Sequence, residues 1–137
     1  MKSVRGYNFS RSFMGERVPQ HVQNIVIKDF CQKNNLHFLL SSTEYAMKNS
    51  HYILNQLLKN LKNLHGIVAY SVFQMPYDNE RRAKVFKKIL YNKKSLFFAC
   101  ENLVLTSKKD IIRIEKIWSV KKISYKCLKL KELQELN

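Results

Sequence analysis

The sequence predicts an open α/β fold, a mainly parallel sheet of four or five strands with helices on both faces. Three observations predict it. Short apolar runs alternate with longer segments of helical periodicity, which is the order of a parallel sheet joined by helical crossovers. The runs are continuously apolar, as strands covered on both faces are. Four of them end in a polar cluster: Tyr7-Asn8-Phe9-Ser10-Arg11-Ser12, Ser41-Ser42-Thr43-Glu44-Tyr45, Tyr70-Ser71-Val72-Phe73-Gln74 and Cys100-Glu101-Asn102. In a parallel sheet these clusters project from one edge, beyond the carboxyl ends of the strands, where open α/β sheets bind ligands.

The elements follow in order. Residues 2–9 read as the first strand. Residues 18–34 read as a helix with Pro19 in its first turn, where a missing N–H costs nothing, and with Val22, Ile25, Val26 and Phe30 as its apolar stripe. Residues 36–40 are a continuous apolar run of strand length. Leu54, Leu57, Leu58, Leu61 and Leu64 keep helical spacing, with Asn49 or Ser50 as the cap. Gly66 breaks the pattern, and 67–72 is the third strand. Asp78 or Asn79 caps a third helix, whose inner face is Val85, Phe86, Ile89 and Leu90. Its outer face carries Arg81, Arg82, Lys84, Lys87 and Lys88. Residues 95–100 form the fourth strand. Ser107 and Asp110 have the spacing of a capping box for a helix bearing Ile111, Ile114 and Trp118. Beyond it, 120–125 reads as an edge strand. Leu128, Leu130, Leu133 and Leu136 read as a short final helix or a dimer contact, so a homodimer is one expectation. A flavodoxin-like strand order, 2-1-3-4, is the simplest topology and places a switch point between the first and third strands.

The length, 137 residues, suits one domain, read as an α/β domain over 1–118 and an extension over 119–137. No stretch reaches the roughly 18 apolar residues of a membrane span, and the first residues lack the apolar run of a signal peptide. A cytoplasmic protein is expected. Cys31, Cys100 and Cys127 are odd in number and far apart, which points to reduced, mostly buried thiols. No metal-ligand spacing and no cofactor motif is present. The formal net charge is +15, with 19 lysines against six arginines, and 12 asparagines accompany them. This mixture reads first as the solvated lysine surface that an AT-rich genome writes. A surface for nucleic acid or another polyanion is the alternative.

The first loop, Ser10 to Arg17, holds two hydroxyls, two guanidiniums and a carboxylate, and it leads into a helix start that favours anions. Arg11 and Arg17, two of the scarce arginines, are the expected anion ligands, because the guanidinium fork matches phosphate. Ser10 and Ser12 are candidate nucleophiles, which need a nearby base. His21 is a candidate acid or base near neutral pH. The strand-end carboxylates Glu44 and Glu101 are candidate bases or hydroxyl ligands, and Tyr70 and Gln74 suit hydrogen bonding to a polar organic ligand. Each has a plain alternative: helix cap, turn or core. No phosphate loop, dinucleotide fingerprint or nucleophile elbow is present.

Two resemblances enter through particular residues. Arg5-Gly6-Tyr7, the segment from Arg11 through Glu16-Arg17-Val18-Pro19-Gln20-His21-Val22-Gln23-Asn24, Glu44-Tyr45-Ala46-Met47, Gly66-Ile67-Val68-Ala69-Tyr70-Ser71 and Phe98 to Leu105 resemble the short sporadic carbohydrate cluster proteins of bacterial surface-polysaccharide loci. That resemblance spans roughly residues 4–118. It implies a role in O-antigen or capsule synthesis and an anionic sugar derivative, such as a sugar phosphate or nucleotide sugar, as ligand. Gly6-Tyr7, the first-loop serines and Val68 to Phe73 followed by Pro76 are similar in layout to the serine resolvase catalytic domain. This resemblance implies a resolvase-like fold, with Ser10 or Ser12 at the nucleophile position. The pattern departs at Gln74 and Met75, where resolvases carry arginines, and Arg81 and Arg82 come later, on the helix. The leading expectation is a small protein of glycan biosynthesis. A nucleic-acid-binding relative of resolvases that has lost recombination, and a noncatalytic partner of a polysaccharide enzyme, are the others.

Overall fold

A computed structural model describes residues 2–135. In chain order the elements are β1 (Lys2–Phe9), α1 (Gln20–Lys33), β2 (Leu36–Glu44), α2 (Tyr52–Lys59), β3 (Gly66–Ala69), a 3-10 turn (Val72–Gln74), α3 (Asn79–Tyr91), β4 (Ser95–Phe98), β5 (Leu103–Leu105) and α4 (Lys108–Glu135). The sheet order is β2-β1-β3-β4-β5. The first four strands are parallel and β5 returns antiparallel to β4. The expected 2-1-3-4 order and the switch between β1 and β3 are both present. Consecutive β1 residues reach opposite faces: Asn8 bonds Asn24 of α1, whereas Tyr7 bonds Glu44, which caps α2. β3 and β4 approach so closely at Gly66 that a Cβ there would overlap the Ser95 carbonyl oxygen.

Several elements differ from their sequence reading. On α1 the buried stripe is Gln23, Ile27, Phe30 and Cys31, while Ile25 is 62% exposed and Val22 lies at the surface. The helix is rotated because the Gln23 amide is fastened to the β1 backbone at Phe9. β2 is an edge strand, and Leu40 in its apolar run is 80% exposed. The leucines of α2 are buried as expected, but the helix ends at Lys59, so Leu61 and Leu64 enter the core from the turn that follows. Asn49 and Ser50 do not cap α2. Asn49 instead takes a left-handed conformation, with φ 64°. Asp78 caps α3 by accepting from the Arg81 N–H.

Arg82 does not lie on the outer face of α3. It is 1% exposed and faces α4. Its guanidinium makes a bidentate pair with Glu115 at 2.7 and 2.8 Å, donates to the carbonyls of Pro76 and Tyr77 and lies 4.3 Å over the Trp118 ring. The expected edge strand at 120–125 is helix, because α4 runs unbroken through 118 to Glu135. Asp110 anchors its start, accepting from the Thr106 and Ser107 N–H groups, and no Gly or Pro interrupts the sequence from there to 135. The fifth strand comes earlier, where Asn102 at φ 53° reverses the chain after β4. Past Trp118, the side chains Val120, Ile123, Leu128, Leu130 and Leu133 are exposed, and Leu136 lies outside the described residues. Cys31 is buried, and burial pushes its thiol up to about 11. Cys100 and Cys127 are exposed, contrary to the reading of mostly buried thiols. Among the described residues no helix is long and apolar enough to cross a membrane.

The Arg82 pairing yields a test. Arg82→Gln leaves Glu115 and two loop carbonyls without their donor, and with the Glu115 side chain 35% exposed stability should fall by about 2 kcal/mol, the scale of hydrogen bonds to a charged group. Urea denaturation measures it. A loss under about 0.5 kcal/mol, typical of a surface position, would place Arg82 on the outer face after all.

Candidate functional site

Glu44 organises the carboxyl edge of the sheet. It closes β2, is 1% exposed and accepts from five donors: the Tyr7 hydroxyl at 2.9 Å, the Tyr45, Ile53 and Leu54 N–H groups and the Ser50 hydroxyl. Two of these are free N–H groups of the first turn of α2, so a carboxylate sits on the positive end of that helix. Burial pushes the Glu44 carboxyl up, but the N–H bonds from Ile53, Leu54 and Tyr45 and the Tyr7 hydroxyl outweigh it, and its pKa lies below the ordinary value. Burial, and then the neighbouring Glu44 charge, hold the Tyr7 phenol well above its own.

Arg11 completes this unit. One terminal nitrogen donates to the Tyr45 carbonyl and the other to the Ser50 carbonyl, both at 2.8 Å, and the guanidinium lies 4.1 Å over the Phe9 ring. The Ser10 hydroxyl donates to the Glu44 carbonyl at 3.0 Å. Glu44, Arg11 and Ser10 are thus brought together as the clamp of the β2–α2 loop. A second network joins β1, α1 and the 3-10 turn. The Gln74 amide donates to the Gln23 side-chain oxygen at 2.8 Å, and Gln23 pairs with both backbone groups of Phe9. Glu101 accepts from the Ser71 hydroxyl at 2.7 Å and the Val72 N–H at 2.8 Å. Burial raises its pKa despite these bonds. Tyr70 is buried edge-on to Phe13, and burial, then Cys100, raise its phenol to about 12. Arg17 and His21 are exposed and stand apart from these networks, and Ser12 is exposed at the mouth of a cavity.

Two concave regions flank the edge. One, about 650 Å³, lies beneath the later turns of α4. The first loop (Arg11 to Gly15), the β2–α2 loop (Lys48, Asn49), Tyr77 and the α4 residues Tyr125 and Lys129 line it. The other, about 670 Å³, is a groove between α2 and α3 lined by Lys59, Arg81, Lys84, Lys87 and Lys88, with no carboxylate among its lining residues. Asn49 and His51 line both. His51 Nε2 lies 3.1 Å from the Gln74 carbonyl, which can only accept, so this nitrogen carries the proton. Burial pulls the ring below its ordinary pKa, against the opposing Gln74 bond. Sequence reading missed His51, Tyr77, Tyr125 and Lys129. It found the α3 cations but not the groove, which needs Lys59 from another helix. Among the described residues no group of three or more His, Cys, Asp or Glu is placed to hold a metal ion.

These contacts predict a pH response. His51 has its folded pKa below the ordinary value of 6.5, so the unfolded chain binds more protons, and stability is full above 6.5 and lost as pH falls through the folded value. His65, pulled down by burial and by Lys2 and Lys94, acts in the same direction. Glu44, held below its ordinary value, adds to the loss once pH falls below 4.5, whereas the raised Glu101 acts in the opposite sense and earlier, gaining stability as pH falls through its folded pKa toward 4.5. Urea midpoints should therefore drop from neutral pH toward about 5.5, and His51→Gln should flatten that slope. Equal slopes in the two proteins would show that His51 does not titrate with folding. Glu44→Gln should cost about 2–3 kcal/mol at neutral pH, the scale of hydrogen bonds to a charged group. Arg11→Lys, which cannot span both carbonyls, should also be destabilising.

No family model matches the chain, and no curated protein matches it, so the carbohydrate-cluster resemblance rests on the quoted residues alone. Among solved structures, a resolvase family site-specific recombinase from Streptococcus pneumoniae superposes with a TM-score of 0.60 over 97% of this chain and 95% of its own, at 11% identity. The N-terminal catalytic domain of TP901-1 integrase matches over 90% of this chain and 98% of its own, with a TM-score of 0.49 and 9% identity. At this level of identity the likeness is one of architecture, and the chain has a resolvase-like fold.

Proposed function

We propose that this chain is a nucleic-acid-binding protein on a resolvase-like fold, that it does not cleave the strand, and that the α2–α3 groove follows the phosphate backbone. The observation that carries this reading is the groove itself. Five cations from two helices line it, and none of them is in a salt bridge among the described residues. Like charges gathered in a concave surface repel one another and focus the field, and a chain of phosphates relieves both. The net charge of +15 adds long-range attraction.

Strand cleavage is left out of the reading for a chemical reason. A serine nucleophile needs a base, and the phosphoryl group needs free cations around it. Here the Ser10 proton is given to a carbonyl, Arg11 is held on two others and Arg82 is paired with Glu115. Ser12 makes no hydrogen bond to another side chain among the described residues, so nothing activates it.

Salt-dependent anisotropy with labelled single-stranded DNA, duplex DNA and RNA tests the reading. Affinity should fall linearly in log K against log salt between ~50 and ~200 mM. Replacing Arg81, Lys84, Lys87 and Lys88 together by Gln should lower the slope by about one per lost phosphate contact. Folding stability should change by less than about 0.5 kcal/mol, because all four side chains are exposed and none is in a salt bridge among the described residues. Unchanged affinity and slope in the fourfold variant would refute the groove as the contact surface.

A further inference from the structure

We propose that the cavity beneath α4 is a nucleoside-phosphate site, taking a planar base against Tyr77 and Tyr125 and a phosphate toward Lys48 and Lys129. The inference rests on this cavity and not on occupancy of the α2–α3 groove. Its volume, about 650 Å³, falls within the range of small-molecule sites. Its floor is apolar and fully packed: Phe9, Phe13, Met75 and Trp118 are all at most 6% exposed. Its walls are the partly open rings of Tyr77, which is 43% exposed, and Tyr125.

Charge and aromatic faces meet here. Lys122 Nζ stands 4.3 Å from the Tyr77 ring centroid and Lys129 Nζ 4.8 Å from that of Tyr125. No carboxylate lines the cavity, whereas Arg11, Lys48 and Lys129 do. A ligand with a flat π-face and an attached anion satisfies both features. A sugar phosphate without a base makes no use of the partly open Tyr77 and Tyr125 rings that line the cavity, and a neutral aromatic leaves the cations uncompensated. The Ser12 hydroxyl and the Asn49 amide at the mouth supply polar groups for the base edge or the ribose. Gly15, at φ +79° against the Tyr125 ring, lets the first loop close beneath α4, where a side chain would be strained. Asn49 and His51 line this cavity and the groove alike. The nucleotide therefore has two sources: a free one, nucleotide sugars included, or an unpaired residue of a strand lying in the groove.

Calorimetric titration separates them. Wild-type protein is titrated with UMP, AMP, UDP and UDP-glucose, and with oligothymidine against an abasic oligonucleotide of equal length. If the source is free, at least one nucleotide binds saturably. If it is a strand, oligothymidine binds more tightly than its abasic counterpart. In either case Tyr125→Ala should weaken the base-dependent binding about tenfold, the scale of lost base stacking. Lys129→Gln, at an exposed position that does not threaten folding, should weaken it as well. The groove variant should leave the affinity for free nucleotides unchanged. The proposal is overturned if no nucleotide binds and the two oligonucleotides bind alike, or if base-dependent binding survives both Tyr125→Ala and Lys129→Gln. Salt-dependent binding lost in the groove variant, with no base dependence in any arm, would sink this site and leave the backbone reading standing.

Discussion

One buried carboxylate holds the carboxyl edge of this sheet in shape. Glu44 lies where an isolated charge would be costly, and its five hydrogen bonds make the ionised form the stable one. Those donors come from β1, from the β2–α2 loop and from the first turn of α2. A single side chain thus sets where the edge strand stops, where the next helix starts and how both sit against the central strand. Arg11 fixes the outside of the same loop by its carbonyls. The loop so fixed carries Asn49 and His51, which form the shared wall of the cavity and the groove.

The other two polar networks act on the remaining sides. Gln23 and Gln74 lock β1, α1 and the 3-10 turn together through paired amides that leave no buried partner unmatched. Arg82 locks α3 to α4 through Glu115 and carries the Trp118 ring against its guanidinium. That contact, with the Trp118 N–H bonded to the Val72 carbonyl, seats the first three turns of α4. The later turns extend past the sheet and roof the cavity. Each network is specific about geometry in a way that apolar packing alone is not.

What the sequence disclosed follows from which forces are local. The alternation of strands and helices, the leucines of α2, the Asp78 cap and the Asp110 anchor all depend on residues near one another in the chain. Arg82 was legible too, though it was read as surface. Positions 82, 85, 86 and 89 keep the spacing of one helix face, and three of the four are apolar, so the pattern assigned Arg82 inward against its residue type. Gln23 belongs with Ile27 and Phe30 by the same spacing. What could not be read was the partner: nothing near Gln23 names Phe9, and nothing near Arg82 names Glu115. The edge strand expected at 120–125 failed because β-branched residues alone do not end a helix in which no Gly or Pro intervenes. The role of Glu44 was open because a strand-end carboxylate serves equally as base or cap until its donors are known.

The polar clusters at the strand ends were expected to face a ligand. Their most polar members instead bond to one another and to the backbone, so the outward-facing chemistry lies one layer further out. It sits on the helix faces and on the roof, where lysine prevails. Specific recognition by a rigid arginine fork at the first loop is not what this geometry offers, because Arg11 already has both terminal nitrogens in use. Exposed lysines around a groove suit the repeated charge of the proposed ligand, and the aromatic cavity beside it suits the proposed base. A scaffold whose inner edge is hydrogen-bonded to itself and whose outer layer is cationic suits the proposed contact with a strand by its phosphates.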